Sequence, residues 1–339
     1  MMKLFKILFF NSMVIGTFIA ISAFSWLSIW IGLEINILSL IPLLKNMKNK
    51  FPSEAAMKYF IVQAMASSLL LFSVMMFLKT NNSTIEYKTS TLESMMVSST
   101  LLLKMGAAPF HFWLPEVMSG LSWTNLFILL TWQKIAPMML LMDQIKMYTL
   151  LFSIIIVASS MISSLQGLNQ INLRKILAYS SINHLSWMIS SILNSLNTWN
   201  YYFSIYCFIN MNIILILNKY NIYYMNQLTN IFTFSKKIKF LFMMNFLSLG
   251  GLPPFLGFLP KWMTINNMID NNHYILTTML IIFTLISLYF YLRITFSSLT
   301  INSEESLIIL FNKINYFYFL TNLFSIFGLI ACTFIDSNF

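Results

Sequence analysis

Five ionisable residues stand inside long apolar stretches of this 339-residue chain: Glu34, Lys104, Lys134, His184 and Lys261. A charged side chain at the centre of a lipid bilayer costs at least about 2.5 kcal/mol, so these residues are expected to face a protein interior or a water-filled cavity. Desolvation favours the neutral form of a lysine, whereas a nearby carboxylate favours the charged form. A lysine held between these two influences can exchange a proton near neutral pH, and a row of such groups can carry protons.

Two structural interpretations of the same residues remain open. Glu34 and Lys104 could form an ion pair that only holds helices together, although three lysines and one acid cannot all pair. A single histidine in a membrane helix is more often a hydrogen-bonded interior residue than a carrier of protons. His184 is assigned to the row because the buried lysines give it groups with which to exchange a proton.

The remaining polar residues near the spans have plainer interpretations. His111 stands in an interrupted stretch and is expected to be structural, although membership of the row stays open. Lys58 and Glu116 stand at span ends, where a solvated or anchoring role is expected. Cys207 and Cys332 lie in apolar runs and are expected to be buried thiols.

Lipid must be the solvent for most of this chain. Hydrophobic residues make up 58% of it, charged residues only 9%, and the mean hydropathy is +0.76, whereas soluble domains carry about 25% charged residues. A helix needs about 20 apolar residues to cross a bilayer. The predicted fold is therefore an all-α polytopic membrane helix bundle, a single integral domain over residues 1–339. The eleven predicted spans are 3–22, 24–44, 57–78, 94–117, 124–142, 149–166, 174–194, 199–218, 238–265, 273–297 and 317–335.

The basic residues predict how these spans are oriented. With eleven spans the connections alternate between the two sides, and fourteen Lys and Arg residues fall on the N-terminal side against three on the other. The other three basic residues are the lysines within spans, Lys104, Lys134 and Lys261. Because loops rich in Lys and Arg stay inside, the N-terminus is predicted inside and the C-terminus outside.

Two stretches of the chain repeat one pattern. "GAAPFHFWLP" (106–115) and "GLPPFLGFLP" (251–260) share G-x-x-P-F-x-x-[WF]-L-P without a gap. Prolines break helices, and free backbone at membrane depth is tolerated only inside protein or beside water. Spans 94–117 and 238–265 are therefore predicted to be discontinuous helices at polar cavities, which point to the ion path of a transporter. They would cross in opposite directions, as an inverted repeat with a pseudo-two-fold axis in the membrane plane; chance similarity is the alternative.

No motif for redox or nucleotide chemistry is found in the sequence. The two cysteines form no CxxC pair, so no iron–sulfur, haem or zinc site is indicated, and neither GxGxxG nor GxxxxGK[ST] occurs. The N-terminal stretch runs directly into a span without an Arg/Ser-rich presequence. Residues of A+T-rich codons, such as Phe, Ile, Asn, Met and Lys, are abundant. These features predict synthesis inside an A+T-rich organelle and no cofactor in this chain.

Five stretches of the sequence together indicate one protein family, although any one of them alone would be weak evidence for it. They are WIGLEINILSLIPLL, LLLKMGAAPFHFWLPEV, WQKIAP, AYSSINHLSWM and GGLPPFLGFLPKW. The set resembles the antiporter-like membrane subunits of mitochondrial respiratory complex I, the NADH:ubiquinone oxidoreductase. The A+T-rich composition is similar to that of insect members. This resemblance spans the whole chain.

The resemblance implies a proton-translocating role in the mitochondrial inner membrane, with the N-terminus in the matrix. The family's polar axis is a Glu–Lys pair, here Glu34 and Lys104, then a middle lysine, here Lys134, and a distal lysine in a broken helix, here Lys261. His184 matches the position that bridges the middle and distal lysines.

The partners that the resemblance implies are the other membrane subunits of complex I and the lipid bilayer, with cardiolipin as a compatible lipid and no nucleic acid. NADH oxidation and quinone reduction then belong to other subunits. A free-standing cation/proton antiporter would use the same buried lysines and is the alternative. A passive scaffold would leave those costly charges unexplained.

Overall fold

The computed structural model describes residues 2–45, 50–80, 91–145, 148–232, 236–299, 321–325 and 328. Within these ranges the chain is helical, apart from turns and one isolated antiparallel bridge between Asn172 and Tyr224. The all-α prediction is therefore confirmed. The helices are α1 (Met2–Ser22), α2 (Trp26–Leu44), α3 (Lys50–Thr80), α4 (Thr91–Met105), α5 (Trp113–Gly120), α6 (Trp123–Leu130), α7 (Trp132–Ile145), α8 (Thr149–Gly167), α9 (Leu173–Asn194), α10 (Leu196–Tyr220), α11 (Met225–Phe232), α12 (Lys236–Gly250), α13 (Phe258–Asp270) and α14 (Tyr274–Leu299).

The chain divides into two compact units, and residues 1–152 form the first. Here α1 packs along α2, α2 packs on α3, α3 holds both α4 and α5, and α7 contacts α1 and α4. Small residues let the backbones of α1 and α2 come close. A Cβ atom added to Gly32 would lie 2.6 Å from the backbone nitrogen of Ala20.

Residues 153–339 form the second unit. Helix α9 is buried along nearly its whole length and packs against α10, α13 and α14, so it is the central helix of this unit. Arg293 of α14 lies against the turn that follows α8, where its guanidinium donates to the carbonyl groups of Leu168 and Gln170. These bonds satisfy backbone acceptors of a turn that has no helical partners.

Ten of the predicted spans coincide with a helix or with two consecutive helices. Within the described ranges, seven segments are long and apolar enough to cross a membrane. The eleventh predicted span, 317–335, lies mostly outside the described residues. The number of crossings and the single-domain organisation stay predictions.

Two features of the fold were not predicted. A short helix, α11, follows α10 and packs against α12 and α14. The predicted span 124–142 is interrupted at Thr131, which separates α6 from α7. The Thr131 hydroxyl donates to the carbonyl of Phe127 at 2.7 Å, a side-chain bond that commonly bends membrane helices.

Candidate functional site: buried lysines at helix interruptions

The first glycine–proline motif separates α4 from α5. The helix ends at Met105, and the next begins at Trp113. The Ala107 N–H donates to the Leu102 carbonyl at 3.1 Å, and the Trp113 indole N–H donates to the Leu103 carbonyl at 3.0 Å. The carbonyl groups at the end of α4 therefore find donors inside the protein, as a helix end within a membrane requires.

The second motif separates α12 from α13 in the same way. Four backbone hydrogen bonds of the first interruption recur at positions 145 residues later. In the first interruption the N–H groups of Gly106, Ala107, Phe110 and Leu114 donate to the carbonyl groups of Leu103, Leu102, Ala107 and His111, respectively. In the second, the N–H groups of Gly251, Leu252, Phe255 and Leu259 donate to the carbonyl groups of Ser248, Leu247, Leu252 and Leu256, respectively. The repeat in the amino-acid sequence therefore extends to the backbone hydrogen bonds. The pseudo-two-fold axis stays a prediction.

The first glycine of each motif follows the end of α4 or the end of α12 and has a left-handed backbone conformation. Gly106 has φ 75° and Gly251 has φ 76°, a conformation that glycine adopts without the penalty that a Cβ atom brings. Both glycines are also closely packed. An added Cβ would lie 2.8 Å from Leu114 at Gly106 and 2.8 Å from the Cδ of Lys261 at Gly251.

Lys104 lies in the last turn of α4, before the first interruption, and is 7% exposed. Its Nζ donates no hydrogen bond to any residue that the structure describes. Half-buried Glu34 on α2 is close enough to act on it electrostatically. No ion pair within 4.0 Å joins the two side chains, both of which are described. A direct structural ion pair is therefore not what holds Lys104 in place.

Lys134 follows the interruption at Thr131 by three residues and is 1% exposed. Its N–H donates to the Thr131 carbonyl at 3.2 Å, which tightens the first turn of α7. Pro137, also in α7, supplies no N–H for the carbonyl of Gln133, four residues before it. The helix around this lysine is thus irregular on both sides.

Three amide side chains lie near Lys104, and sequence reasoning did not single them out: Asn36 and Gln63 are buried, and Gln133 is half-buried. The Gln133 Nε2 donates to Asn36 Oδ1 at 2.8 Å, which links α7 to α2. The Gln63 Nε2 of α3 donates to the Lys104 carbonyl at 3.3 Å. Proximity to Glu34 and Lys134 in the chain could have identified Asn36 and Gln133, but no sequence signal identifies Gln63.

His184 lies on α9 and contacts two tyrosines of α10. Its Nδ1 is 2.8 Å from the hydroxyl oxygen of Tyr202, and its ring packs against the ring of Tyr206 with centroids 5.1 Å apart. A phenol hydroxyl can both donate and accept a hydrogen bond. The imidazole therefore has a partner for either protonation state, and Tyr202 is a functional candidate that the sequence did not indicate.

Lys261 follows the second interruption, near the start of α13. Its Nζ donates to the Gly250 carbonyl at 2.9 Å, the last carbonyl of α12. The same ammonium group lies 5.9 Å from the ring centroid of Trp187, which follows His184 by three residues on α9. Within the second unit the structure therefore brings Lys261 to the helix that carries His184.

The other sequence candidates have structural contacts. His111 is buried, and its Nδ1 is 3.3 Å from the Pro109 carbonyl. Lys58 pairs with Glu54 at 3.3 Å and with Glu116 at 3.2 Å. These three charged side chains are exposed. The Lys58–Glu116 pair joins α3 to α5, with the small stabilisation typical of such contacts.

A buried polar cluster lies beside the second interruption. Asn245 of α12 donates to Asn322, and the Ser325 hydroxyl donates to Asn245 Oδ1 at 2.9 Å. The Leu256 N–H, within the interruption, donates to the Ser325 carbonyl at 3.3 Å. The segment 321–325 thus supplies an acceptor for backbone that the interruption leaves free.

A cleft of about 380 Å³ opens beside α13 in the second unit. It is lined by Asn194, Ser195, Asn197, Thr198, Tyr201, Trp262, Met263, Asn266, Asn267, Asp270 and Asn271. Asn271 donates to Asn194 Oδ1 at 3.1 Å across it. The helix that begins beside Lys261 therefore ends at a wide cleft lined by several amide and hydroxyl side chains, which the sequence did not predict.

Metal ligands do not cluster in the part of the chain that the structure describes: no group of three or more His, Cys, Asp or Glu residues could hold an ion there. Cys207 is half-buried, and Cys332 lies outside the described residues. The expected lack of a cofactor in this chain stays a prediction.

Residues 23–287 match the family model described as NADH:quinone oxidoreductase/Mrp antiporter, TM. NADH-ubiquinone oxidoreductase chain 2 of Locusta migratoria is 48% identical over 301 residues, which cover 89% of this chain and 87% of the relative. The protein of the same name from Anopheles gambiae is 47% identical over 318 residues, 93% of this chain and 92% of the relative.

Two solved structures show the same fold at low sequence identity. A chain of respiratory complex I from Thermus thermophilus matches with a TM-score of 0.82 and 21% identity, over 94% of this chain and 75% of that one. A chain of the archaeal membrane-bound sulfane sulfur reductase matches with a TM-score of 0.82 and 14% identity, over 97% of this chain and 73% of that one.

Proposed function

The chain belongs to the NADH:quinone oxidoreductase/Mrp antiporter family of membrane subunits, and we propose that its buried lysines carry the protons of that subunit. It is a membrane subunit of the proton-translocating NADH:ubiquinone oxidoreductase, and the other membrane subunits of that assembly are its partners. The resemblance read from the five sequence stretches is thereby confirmed. NADH oxidation and quinone reduction take place on other subunits.

One observation supports this role above all: each buried lysine stands within a few residues of a helix interruption. Lys104 precedes the interruption at 106–112, Lys134 follows the one at Thr131, and Lys261 follows the one at 251–257. A lysine in dry hydrocarbon stays neutral and one in bulk water stays charged, so neither can switch. Free backbone groups and amide side chains beside an interruption provide surroundings with a polarity between those of hydrocarbon and bulk water. In such surroundings a lysine can take up and release a proton.

The two units would each carry part of the path. In the first, Glu34, Lys104 and Lys134 receive and pass on the proton. In the second, His184 with Tyr202 passes it to Lys261, whose bond to the Gly250 carbonyl holds the charged form in place. Each transfer leaves the donor lysine neutral and ready for the next proton.

Replacement of Lys261 tests the role directly. We expect Lys261→Met to leave the oxidoreductase assembled but to lower the number of protons moved per electron pair. Lys261→Arg should fail as well, because arginine cannot release its proton. The measurement is the proton-to-electron ratio of the purified enzyme in liposomes, with NADH oxidation followed in parallel. An unchanged ratio in both variants, with normal assembly, would mean that Lys261 is structural.

The chain is a multi-pass protein of the mitochondrial inner membrane, as its relatives and its helices support. Its orientation is part of the proposal: the N-terminus in the matrix and the C-terminus toward the intermembrane space. The support is the unequal distribution of Lys and Arg residues between alternate connections.

A further inference from the structure

The cleft of about 380 Å³ beside α13 has one charged side chain in its wall, Asp270. This carboxylate is exposed, and it forms no ion pair with any residue that the structure describes. Neither lysine nor arginine is among the lining residues, although the whole chain has a net charge of +10. Charge complementarity therefore favours a ligand with a cationic group and disfavours a purely anionic one.

Both walls of the cleft change from polar to aromatic in the same order. On α13, Asp270 stands at the end of the helix, and Trp262 lies about 12 Å further in at 1.5 Å per residue. On α10, Asn197 stands in the first turn, and Tyr201 lies about one turn further in. Helix α10 is long and apolar enough to cross a membrane, so its first turn lies near a membrane surface. The cleft therefore extends from the water toward the lipid.

The two aromatic side chains have exposed rings and free polar tips. Trp262 is 37% exposed and Tyr201 is 39% exposed. The Trp262 indole N–H and the Tyr201 hydroxyl are not hydrogen-bonded to any residue that the structure describes. Tryptophan and tyrosine are enriched at membrane surfaces, where the ring lies among apolar groups and the polar tip finds a hydrogen-bond partner. Both tips are therefore available as donors to a lipid in the cleft.

Hydrogen bonds join the two walls of the cleft. The side chain of Asn271 donates to Asn194 Oδ1 at 3.1 Å, and the side chain of Asn267 donates to Ser195 Oγ at 3.4 Å. These bonds connect the turn between α9 and α10 to the C-terminal end of α13. The cleft is therefore already formed, as ligand sites usually are.

We propose that this cleft binds one phospholipid whose headgroup carries a primary ammonium group, as phosphatidylethanolamine does. The ammonium N–H groups donate to the Asp270 carboxylate at the outer end of the cleft. The phosphate and ester oxygens lie deeper and accept from the side chains of Asn266, Trp262 and Tyr201. The acyl chains continue past the two aromatic rings into the bilayer. The groups of the lipid thus follow the same order as the groups on the walls.

Other phospholipid headgroups suit the cleft less well. A choline headgroup has no N–H to donate to Asp270. Its quaternary ammonium group binds best against aromatic rings, but Trp262 lies about two turns of helix away from the carboxylate. Cardiolipin carries two phosphates and no ammonium group, so it would place negative charge beside Asp270 without a cation in the wall. The preference for a primary ammonium group is therefore specific and can be measured.

A photoactivatable phosphatidylethanolamine tests the site in the purified, assembled oxidoreductase. After irradiation, mass spectrometry identifies the labelled peptides, and unlabelled lipids are added as competitors. We expect label on the peptides that contain Tyr201 and Trp262. Unlabelled phosphatidylethanolamine should compete at least about tenfold better than phosphatidylcholine or cardiolipin, because a hydrogen bond to a charged group is lost with those lipids.

Asp270→Asn removes the charge with little change in shape, and it should lower the labelling about tenfold. Trp262→Phe keeps an aromatic ring and removes the N–H, so it should lower the labelling by a smaller factor. The matched control is Asp143→Asn, because Asp143 is an exposed carboxylate in the last turn of α7 that does not line the cleft. This control should leave the labelling unchanged.

The site is supported if Asp270→Asn loses both the label and the preference for phosphatidylethanolamine while Asp143→Asn loses neither. Equal competition by all three lipids would show ordinary contact with the bilayer and would overturn the proposal. Equal competition by soluble phosphoethanolamine would show that the cleft takes a free ligand instead of a lipid. Absence of label from both peptides would mean that a neighbouring polypeptide covers the cleft, and the lipid site would be wrong.

Assembly of the variants is checked on native gels. Both side chains are exposed, so we expect both variants to assemble normally. If Asp270→Asn does not assemble, Trp262→Phe decides by the same labelling criteria. Failure of both to assemble would overturn the proposal, because these side chains would then hold the fold together.

Discussion

Gly251 packs closely against the side chain of Lys261 in the second interruption. Its φ of 76° is in the left-handed region, which costs a residue with a side chain about 1–2 kcal/mol. A Cβ atom there would also lie 3.0 Å from Lys261 Nζ. We therefore expect Gly251→Ala to displace the ammonium group from the Gly250 carbonyl and to lower the proton-to-electron ratio of the assembled enzyme in liposomes.

The adjacent glycine is the matched control. A Cβ atom added to Gly250 would meet its nearest neighbour, Tyr291, at 3.6 Å, an ordinary contact. Gly250→Ala should therefore leave both assembly and the ratio unchanged. Equal losses in the two variants would show that the interruption tolerates no substitution at all, and the specific link between Gly251 and Lys261 would be lost.

Helices and their interruptions could be predicted to different extents, for physical reasons. The membrane spans can be predicted from sequence because a segment that crosses lipid must be a long apolar helix. The interruptions after Met105 and Gly250 can be predicted because proline and glycine change the backbone at their own positions. The interruption at Thr131 was missed because it depends on a side-chain bond to the Phe127 carbonyl. Gln63 was missed because its side chain reaches the Lys104 carbonyl only where α3 packs against α4, which no local pattern encodes.

The crossing of α1 and α2 offers a test at the scale of whole helices. A Cβ atom at Gly32 would lie 2.6 Å from the Ala20 backbone nitrogen, and one at Gly16 would lie 2.9 Å from that of Asn36. Gly32→Leu should force the two helices apart and move α2, which carries Glu34. We expect a destabilisation of at least about 1–3 kcal/mol, seen as less assembled enzyme on native gels and faster thermal inactivation.

Ile31→Leu is the control for this crossing, because Ile31 precedes Gly32 and is exposed on α2. A swap that conserves volume usually costs less than about 1.5 kcal/mol, so assembly should stay normal. If Gly32→Leu assembled as well as Ile31→Leu, the close approach of the two helices would not matter for the fold.

Sidedness is a property of the whole molecule that charge and helix length together predict. The last turn of α10 contains Lys219 and the first turn of α12 contains Lys239, whereas α13 ends at Asp270. Between these two ends the chain includes α12 and α13, whose combined helical length of about 40 Å is enough for one crossing of a hydrocarbon core about 30 Å thick. The two ends should therefore face opposite compartments, with the basic end in the matrix.

Single cysteines at the two helix ends can report this orientation. Asn218 and Asp270 are both exposed residues in the last turn of a helix, so they form a matched pair for Asn218→Cys and Asp270→Cys. In mitoplasts with an intact inner membrane, a maleimide that cannot cross membranes should label Asp270→Cys. Asn218→Cys should react only after the membrane is ruptured, because its helix end faces the matrix. The unsubstituted chain gives the background from Cys207 and Cys332. The reverse pattern would invert the proposed orientation, and labelling of both sites before rupture would show that α12 and α13 together do not cross the membrane.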